Sequence, residues 1–286
     1  MSLNNFIPQI WANAILTNLN DAHVFANCVN RDYEGEIKGA GDTVRINSIG
    51  RITIGSYTKN TWNLTPEVLD GASQTLTIDQ QKYFYYGFDD IDKAQGKPSV
   101  VSDFAREAAW GFADGADAHL ASVISAGVAS ANVLTARTVG TGGSAEDAFE
   151  TLIDIKEALD IANTPMNDRW AVAPFWYGAM LLKDPRFTSF GTAQNLSTAM
   201  SGVMKDLVGF TLHFSNNVPV SGSEYSILAG YKGAVTFAES IPDGQPEALR
   251  SQDGFADLVR SLYVYGSKVT RPDNLVKVAV TKAVVG

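Results

Sequence analysis

The sequence predicts an α+β protein, and three observations carry that prediction. Residues 42–88 contain apolar and polar side chains alternating with the two-residue period of strands. Residues 101–124 carry an apolar stripe at helical spacing, and two more alternating stretches, Leu258–Thr270 and Leu275–Val284, close a sheet near the end of the chain. Strands that leave, one long helix and strands that return describe segregated helices and sheets, with no regular βαβ alternation.

Residues 6–29 read as an amphipathic helical segment, with Pro8 near its start. Ile10, Trp11, Ala14, Ile15, Leu19, Val24 and Phe25 recur at helical spacing. A terminal helix this apolar needs a surface to pack against, and that surface can belong to another subunit. Further on, Val44, Ile46, Ile52 and Ile54 alternate with polar neighbours. Gly55–Ser56, Asn60 and Gly71 mark turns, and Thr75–Ile78 and Tyr83–Phe88 resume strand composition. The segment reads as a long β-hairpin or loop that leaves the body and returns. Its charge is lopsided, because Arg45, Arg51 and Lys59 lie between Asp42 and Glu67 with no acid among them.

A helix begins after Pro98, with Ser99 as its cap and Gly127 as its stop. Val101, Phe104, Ala108, Phe112, Ala116, Leu120, Val123 and Ile124 form its apolar stripe, and Asp103, Glu107, Asp114 and Asp117 occupy the opposite side. The run Gly140-Thr141-Gly142-Gly143 is a candidate hinge, with Gly140, Gly142 and Gly143 supplying the freedom. Ser144 to Asp147 fit the N-terminus of a helix that buries Leu152, Ile155, Leu159 and Ala162 and ends at Asn163–Pro165. Trp170–Ala173 is a short apolar strand, and Pro174 opens a helix that runs to Lys183. Phe210–Phe214, Ser226–Ala229 and Ala234–Phe237 are further short strands.

Composition bounds what such a molecule can do. With 286 residues, 45% hydrophobic and 19% charged, the chain has enough apolar material for a folded core in one or two domains. A net charge of −9 opposes contact with phosphate backbones, so nucleic acid would be a content and not a sequence-read ligand. Cys28 is alone, cannot form an internal disulfide, and reads as a small buried side chain. The N-terminus lacks the basic and apolar regions of a signal peptide, and no window approaches the roughly 18 apolar residues of a membrane span. A cytoplasmic origin and no membrane partner are the expectations.

Chemistry is sparse. His23, His119 and His213 have no metal-ligand spacing, and one cysteine cannot build a Cys/His site. No Gly-x-Ser-x-Gly elbow occurs, and the glycine run at 140–143 lacks the lysine and hydroxyl of a phosphate loop. Asp89, Asp90 and Asp92 lack the glycine and later glutamate of a calcium loop, and read as a solvated face or an interface charge. No catalytic residue, metal site or cofactor is expected.

A set of short segments gives the chain a family likeness. They are Phe6-Ile7-Pro8-Gln9-Ile10-Trp11, Asn30 to Ile37 with Gly41-Asp42-Thr43-Val44, Thr75 to Gln80 with Asp92-Lys93-Ala94, Arg169-Trp170-Ala171-Val172 with Pro174 and Leu181, Ser215 to Pro219, and Tyr265 to Val269 with Arg271-Pro272. In that order they resemble the major capsid proteins of tailed bacteriophages, in the podophage coat-protein branch. The resemblance implies the Hong Kong ninety-seven type capsid fold. Its parts would be an N-terminal arm at 1–41, an extended β-hairpin loop at 42–92, a peripheral domain with a long spine helix at 93–140 and 246–286, and an α/β axial domain at 141–245. It implies self-assembly through pentamers and hexamers into an icosahedral shell around double-stranded DNA, without sequence-specific contacts. A portal and a separate scaffolding protein are the implied partners, since the arm motif begins as early as Phe6.

Closed shells repeat heterologous contacts with small angular adjustments. Arg45, Arg51 and Lys59 are expected to dock on Asp103, Glu107, Asp114 or Asp117 of the next subunit, each exposed pair contributing about 0.2–1 kcal/mol. Ordinary solubilising charge is the competing reading of the same residues. The glycine hinge would let the axial domain tilt. Three rivals share the stage: an encapsulin-type nanocompartment shell enclosing cargo enzymes, a fibre or adhesin (for which no repeats occur), and an enzyme, for which no acid, base or nucleophile constellation occurs.

Overall fold

The computed structural model describes residues 23–33, 41–48, 59, 72–89, 100–140, 146–183, 207–242, 247–252 and 254–283. The elements open with α1 (Phe25–Cys28), β1 (Thr43–Ser48), β2 (Ala72–Thr77), β3 (Gln80–Asp89) and α2 (Val100–Gly127). Next come β4 (Val133–Val139), α3 (Ala148–Ile161), β5 (Arg169–Ala173), α4 (Phe175–Lys183), β6 (Thr211–Phe214), β7 (Val220–Ser221) and β8 (Glu224–Tyr231). The chain finishes with β9 (Val235–Ser240), β10 (Glu247–Arg250), β11 (Ala256–Val269) and β12 (Leu275–Lys282).

β11 organises the first half of the molecule. It pairs antiparallel with β3 on one side, and with β10 and β9 in succession on the other, making a four-stranded sheet. α2 lies on one face. Its residues Ala109, Phe112, Ala116, Leu120 and Ile124 recur every three or four positions and are all buried. The Phe112 ring stacks on Tyr263 of β11 at 4.9 Å and meets Phe84 of β3 at 5.5 Å. On the other face, β1 and β2 form an antiparallel pair, with Arg45 opposite Thr75, the base of the expected hairpin. Val44, Ile46, Leu76 and Ile78 bury themselves there against Val264 and Ala238. Gly266 permits that approach, because a Cβ there would collide with the Thr77 carbonyl and with Ile78.

The second half is a six-stranded sheet of order β4-β12-β8-β5-β6, with β7 on β8. Every residue of β5 is buried, and alternate residues serve opposite faces. Ala171 and Ala173, with Ile227, Ala229 and Val276, pack against Leu152, Ile155 and Leu159 of α3 and Tyr177 and Leu181 of α4. Trp170, Val172, Leu228 and Leu275 join instead the core formed by α2 and β11. One core therefore spans both sheets. α3 starts at Asp147, whose carboxylate accepts from Phe149 N–H at 3.1 Å, and its C-terminal side is closed by buried Arg169, which donates to the Thr164 and Pro165 carbonyls and to Asp160.

Among the described residues the chain crosses between the sheets three times, each time through a 3₁₀ turn: Ser130–Asn132, Lys232–Ala234 and Pro272–Asn274. The crossings are stitched together. Ala129 N–H donates to the Pro272 carbonyl at 3.3 Å, Asn132 Nδ2 to the Asp273 carbonyl at 2.6 Å, and the Thr270 and Arg271 N–H groups to the Ala234 carbonyl at 2.9 and 3.1 Å.

One expectation is corrected, and strand pairing and backbone bonds bear on two others. Leu258–Thr270 and Leu275–Val284 do not close one sheet, because β11 lies in the four-stranded sheet and β12 in the six-stranded one. For the same reason strand pairing departs from the expected domain bounds: β9, within 141–245, joins β11, while β12, within 246–286, joins β4 and β8. The hinge at Gly140 is not a joint between the sheets. β4 before it and α3 after it belong to the same layer, and its flanks are bonded to each other by Gly140 N–H to the Glu146 carbonyl (3.2 Å) and Glu146 N–H to the Thr138 carbonyl (2.8 Å). Arg137 braces the same loop through Glu146 at 3.1 Å and Asp154 at 2.5 Å. Gly142 and Gly143 lie outside the described residues.

Candidate assembly surfaces and the anchor of the N-terminal segment

Residues 23–29 enter the body on the α2 side of the four-stranded sheet, and a buried polar cluster holds them there. His23 sits between two acids, with Nδ1 3.0 Å from Asp117 of α2 and Nε2 3.0 Å from Glu239 of β9. The second Asp117 oxygen accepts from Val24 N–H at 2.6 Å and Phe25 N–H at 3.1 Å, while the first also accepts from Ala26 N–H at 3.2 Å. Asp117 thus caps α1 from a different element, satisfying donors that no preceding side chain reaches. Glu239 also accepts from the Tyr263 hydroxyl and pairs with Arg31. Two carboxylates face one imidazole and one guanidinium, so the charges balance when His23 is protonated.

Electrostatics agrees with that state. Burial opposes the charged form of His23, yet its hydrogen bonds to Asp117 and Glu239 outweigh burial and raise its pKa to about 9. Burial would raise the pKa of Glu239, but the bond from His23 and the charges of His23 and Arg31 hold it below the ordinary carboxylate value. Burial and the Glu239 charge push Tyr263 well above the usual phenol range. Close by, burial pushes the Cys28 thiol up to about 12 while Sγ donates to the Val24 carbonyl at 3.2 Å, so this cysteine is an inert packing residue.

The expected contact residues are distributed unevenly. Arg45 and Lys59 are exposed, and Arg51 lies outside the described residues. Glu107 and Asp114 are exposed on α2 beside Trp110, and Asp103 lies on the same helix. Asp114 is already engaged, because Asn217 Nδ2 donates to its carboxylate at 2.8 Å. Asp117 is corrected: it is 2% exposed and its oxygens are filled by groups of its own chain, so it cannot meet a neighbouring subunit's cation. A helical count placed it with the outward acids, whereas the α1 segment folds over that part of α2 and buries it. The rest of the anchor was invisible to sequence reasoning, because the partners of His23 stand 94 and 216 positions away.

Among the described residues no group of His, Cys, Asp and Glu side chains could hold a metal ion, and no helix is long and apolar enough to cross a membrane. The arrangement is one of packing, pinning and exposed surface. Comparison with known proteins gives that surface its context. No curated protein sequence matches the chain. A solved structure from Mycobacterium phage Che8 aligns at a TM-score of 0.68 with 27% identity, covering 90% of each chain. The capsid of cyanophage P-SCSP1u aligns at 0.65 with 16% identity over 92% of this chain and 87% of the other. A virus-like particle from Pyrococcus furiosus aligns at 0.55 with 10% identity over 95% of this chain and 99% of the other, which is a likeness of fold alone. The family model for phage capsid proteins matches residues 73–278, from the second hairpin strand through both sheets to the last strand, and the chain belongs to that family of shell-building proteins.

Proposed function

We propose that this capsid protein is the major shell subunit of a podophage-type tailed phage, assembling through pentamers and hexamers into an icosahedral shell around double-stranded DNA. The family match across residues 73–278 carries the reading. Assembly takes place in the host cytoplasm with a separate scaffolding protein and a portal, and the role is structural with no catalytic step. The net charge of −9 supports containment of DNA without base-specific contact. The likeness to the Pyrococcus furiosus particle, at 10% identity, adds nothing that favours a cargo compartment.

Within the shell, Arg45, Arg51 and Lys59 of one subunit's hairpin dock on Asp103, Glu107 and Asp114 of its neighbour. Exposure of Arg45, Lys59, Glu107 and Asp114 supports this. Pairs of this kind contribute about 0.2–1 kcal/mol each, weak enough to let a misplaced subunit leave.

Electron microscopy of the purified chain across a concentration series, with and without a candidate scaffold, tests the shell. Closed particles or sheets of pentamers and hexamers are expected. A stable monomer in every condition, scaffold included, refutes it. For the docking contact, Arg51→Glu should weaken assembly more at low salt than at high salt, where screening already blunts such pairs. Unchanged assembly at both would count against it.

A further inference from the structure

Residues 23–33 form a strap around one edge of the four-stranded sheet. Phe25, Ala26, Cys28 and Val29 are buried on the α2 face. Asn30 then runs beside β9, whose only other neighbouring strand among the described residues is β11. Asn30 N–H donates to the Val235 carbonyl at 3.0 Å, and the Asn30 carbonyl accepts from Phe237 N–H at 2.9 Å. The Asn30 side chain accepts from Asp32 N–H at 3.1 Å and turns the chain. Tyr33 packs on the opposite face, against the cluster of Val44, Ile46, Leu76 and Ile78. The strap thus passes from one face of β9, along its outer edge, to the other face.

Its attachment differs in kind from the rest of the fold. Among the described residues, the two Asn30 bonds are the only backbone–backbone hydrogen bonds between strap and body. Charge supplies the strongest of the other contacts, and it divides between the two sides. The cations His23 and Arg31 arrive on the strap, whereas the anions Asp117 and Glu239 belong to α2 and β9. The body is closed without the strap: β3, β9, β10 and β11 pair among themselves, and α2 seats Phe112 on Tyr263 and Phe84. A segment with few backbone bonds, attached to a body complete in itself, belongs to the part of a fold that opens locally ahead of global unfolding.

Opening has a defined result. It bares the outer edge of β9, where the Val235 carbonyl and Phe237 N–H lose their partners and can accept a strand from elsewhere. It also uncovers an apolar slot and strips Asp117 and Glu239 of their counter-charges. We infer that residues 23–33 open and close as a unit on the folded body, clasped by His23 and Arg31, and that the closed strap guards the β9 edge against strand addition by other chains. The strap goes beyond the shell reading, which its test leaves untouched.

Cys28 reports the strap directly, because it is the chain's one cysteine, lies within the strap and is 4% exposed. The test follows alkylation of Cys28 in the full-length chain at neutral pH across sub-denaturing urea, beside global unfolding followed by circular dichroism. Labelling is expected through an opening that is cheaper than global unfolding and nearly insensitive to low urea. Arg31→Gln removes one clasp while staying polar at a part-exposed position, and should speed labelling about tenfold with the body still folded. Aggregation that binds thioflavin should rise with it. Labelling in the parent that follows the urea dependence of global unfolding overturns the strap, and that result needs no variant to fold. An Arg31→Gln chain that is folded and labels at the parent's rate overturns the clasp. Faster labelling with no added aggregation overturns the guarding of β9.

Discussion

Asp117 accepts three backbone N–H groups and one imidazole nitrogen, so its carboxylate is held in place from several directions at once. Replacing His23 with phenylalanine would leave Asp117 and Glu239 with Arg31 as their one remaining counter-charge in the cluster, and breaking a buried pair in this way costs about 3–5 kcal/mol. Chemical denaturation should show that loss, together with faster amide exchange at Val24–Ala26. The same site sets a pH window. His23 has a folded-state pKa above its ordinary 6.5, so its contribution is complete below 6.5 and disappears as pH rises through about 9. Glu239 has a folded-state pKa below its ordinary 4.5, so its contribution is complete above 4.5 and is lost as pH falls through the lower value. Stability measured from pH 4 to 10 should therefore be greatest near pH 5–6 and fall on the alkaline side, and H23F should flatten that alkaline limb.

Elements differ in how much of themselves they declared. The hairpin base tests one that did: Gly266→Ala should push β2 off β11, costing about 1–3 kcal/mol by overpacking, with weaker exchange protection across Thr43–Ser48. Unchanged stability and protection would refute the close approach. β1, β2, α2 and β5 were legible because each buries one face or both, and burial writes a period into the sequence. β4 was not anticipated, since as an edge strand most of its residues are exposed or half-exposed and its sequence carries no apolar alternation. The sheet assignments of β9 and β12 were equally hidden, because period identifies a strand but not its partner. Exposed charges on the hairpin and α2 could be read from the chain, whereas the His23 anchor joins three remote segments and leaves no local pattern.

At the scale of the whole molecule, a core shared by both sheets predicts joint unfolding. Trp170 is 3% exposed and belongs to the cluster formed by α2 and β11, although β5 lies in the other sheet. Trp170→Ala should cost about 3–5 kcal/mol and lower the stability of both sheets together, seen as one calorimetric transition at a lower temperature and parallel loss of exchange protection in β8 and β11. Two separated transitions in the parent chain would contradict this.

The three stitched crossings also fix how the subunit transmits force. A pull on one sheet reaches the other along three covalent strands in parallel, so each bears a fraction of the tension and a protease cut in any single strand leaves two intact. Because three is an odd number, the described chain begins on one sheet and finishes on the other. A tether fused near the end of β12 would therefore load a different sheet from one fused ahead of His23, and tension between the two ends would cross the junction however the subunit is oriented.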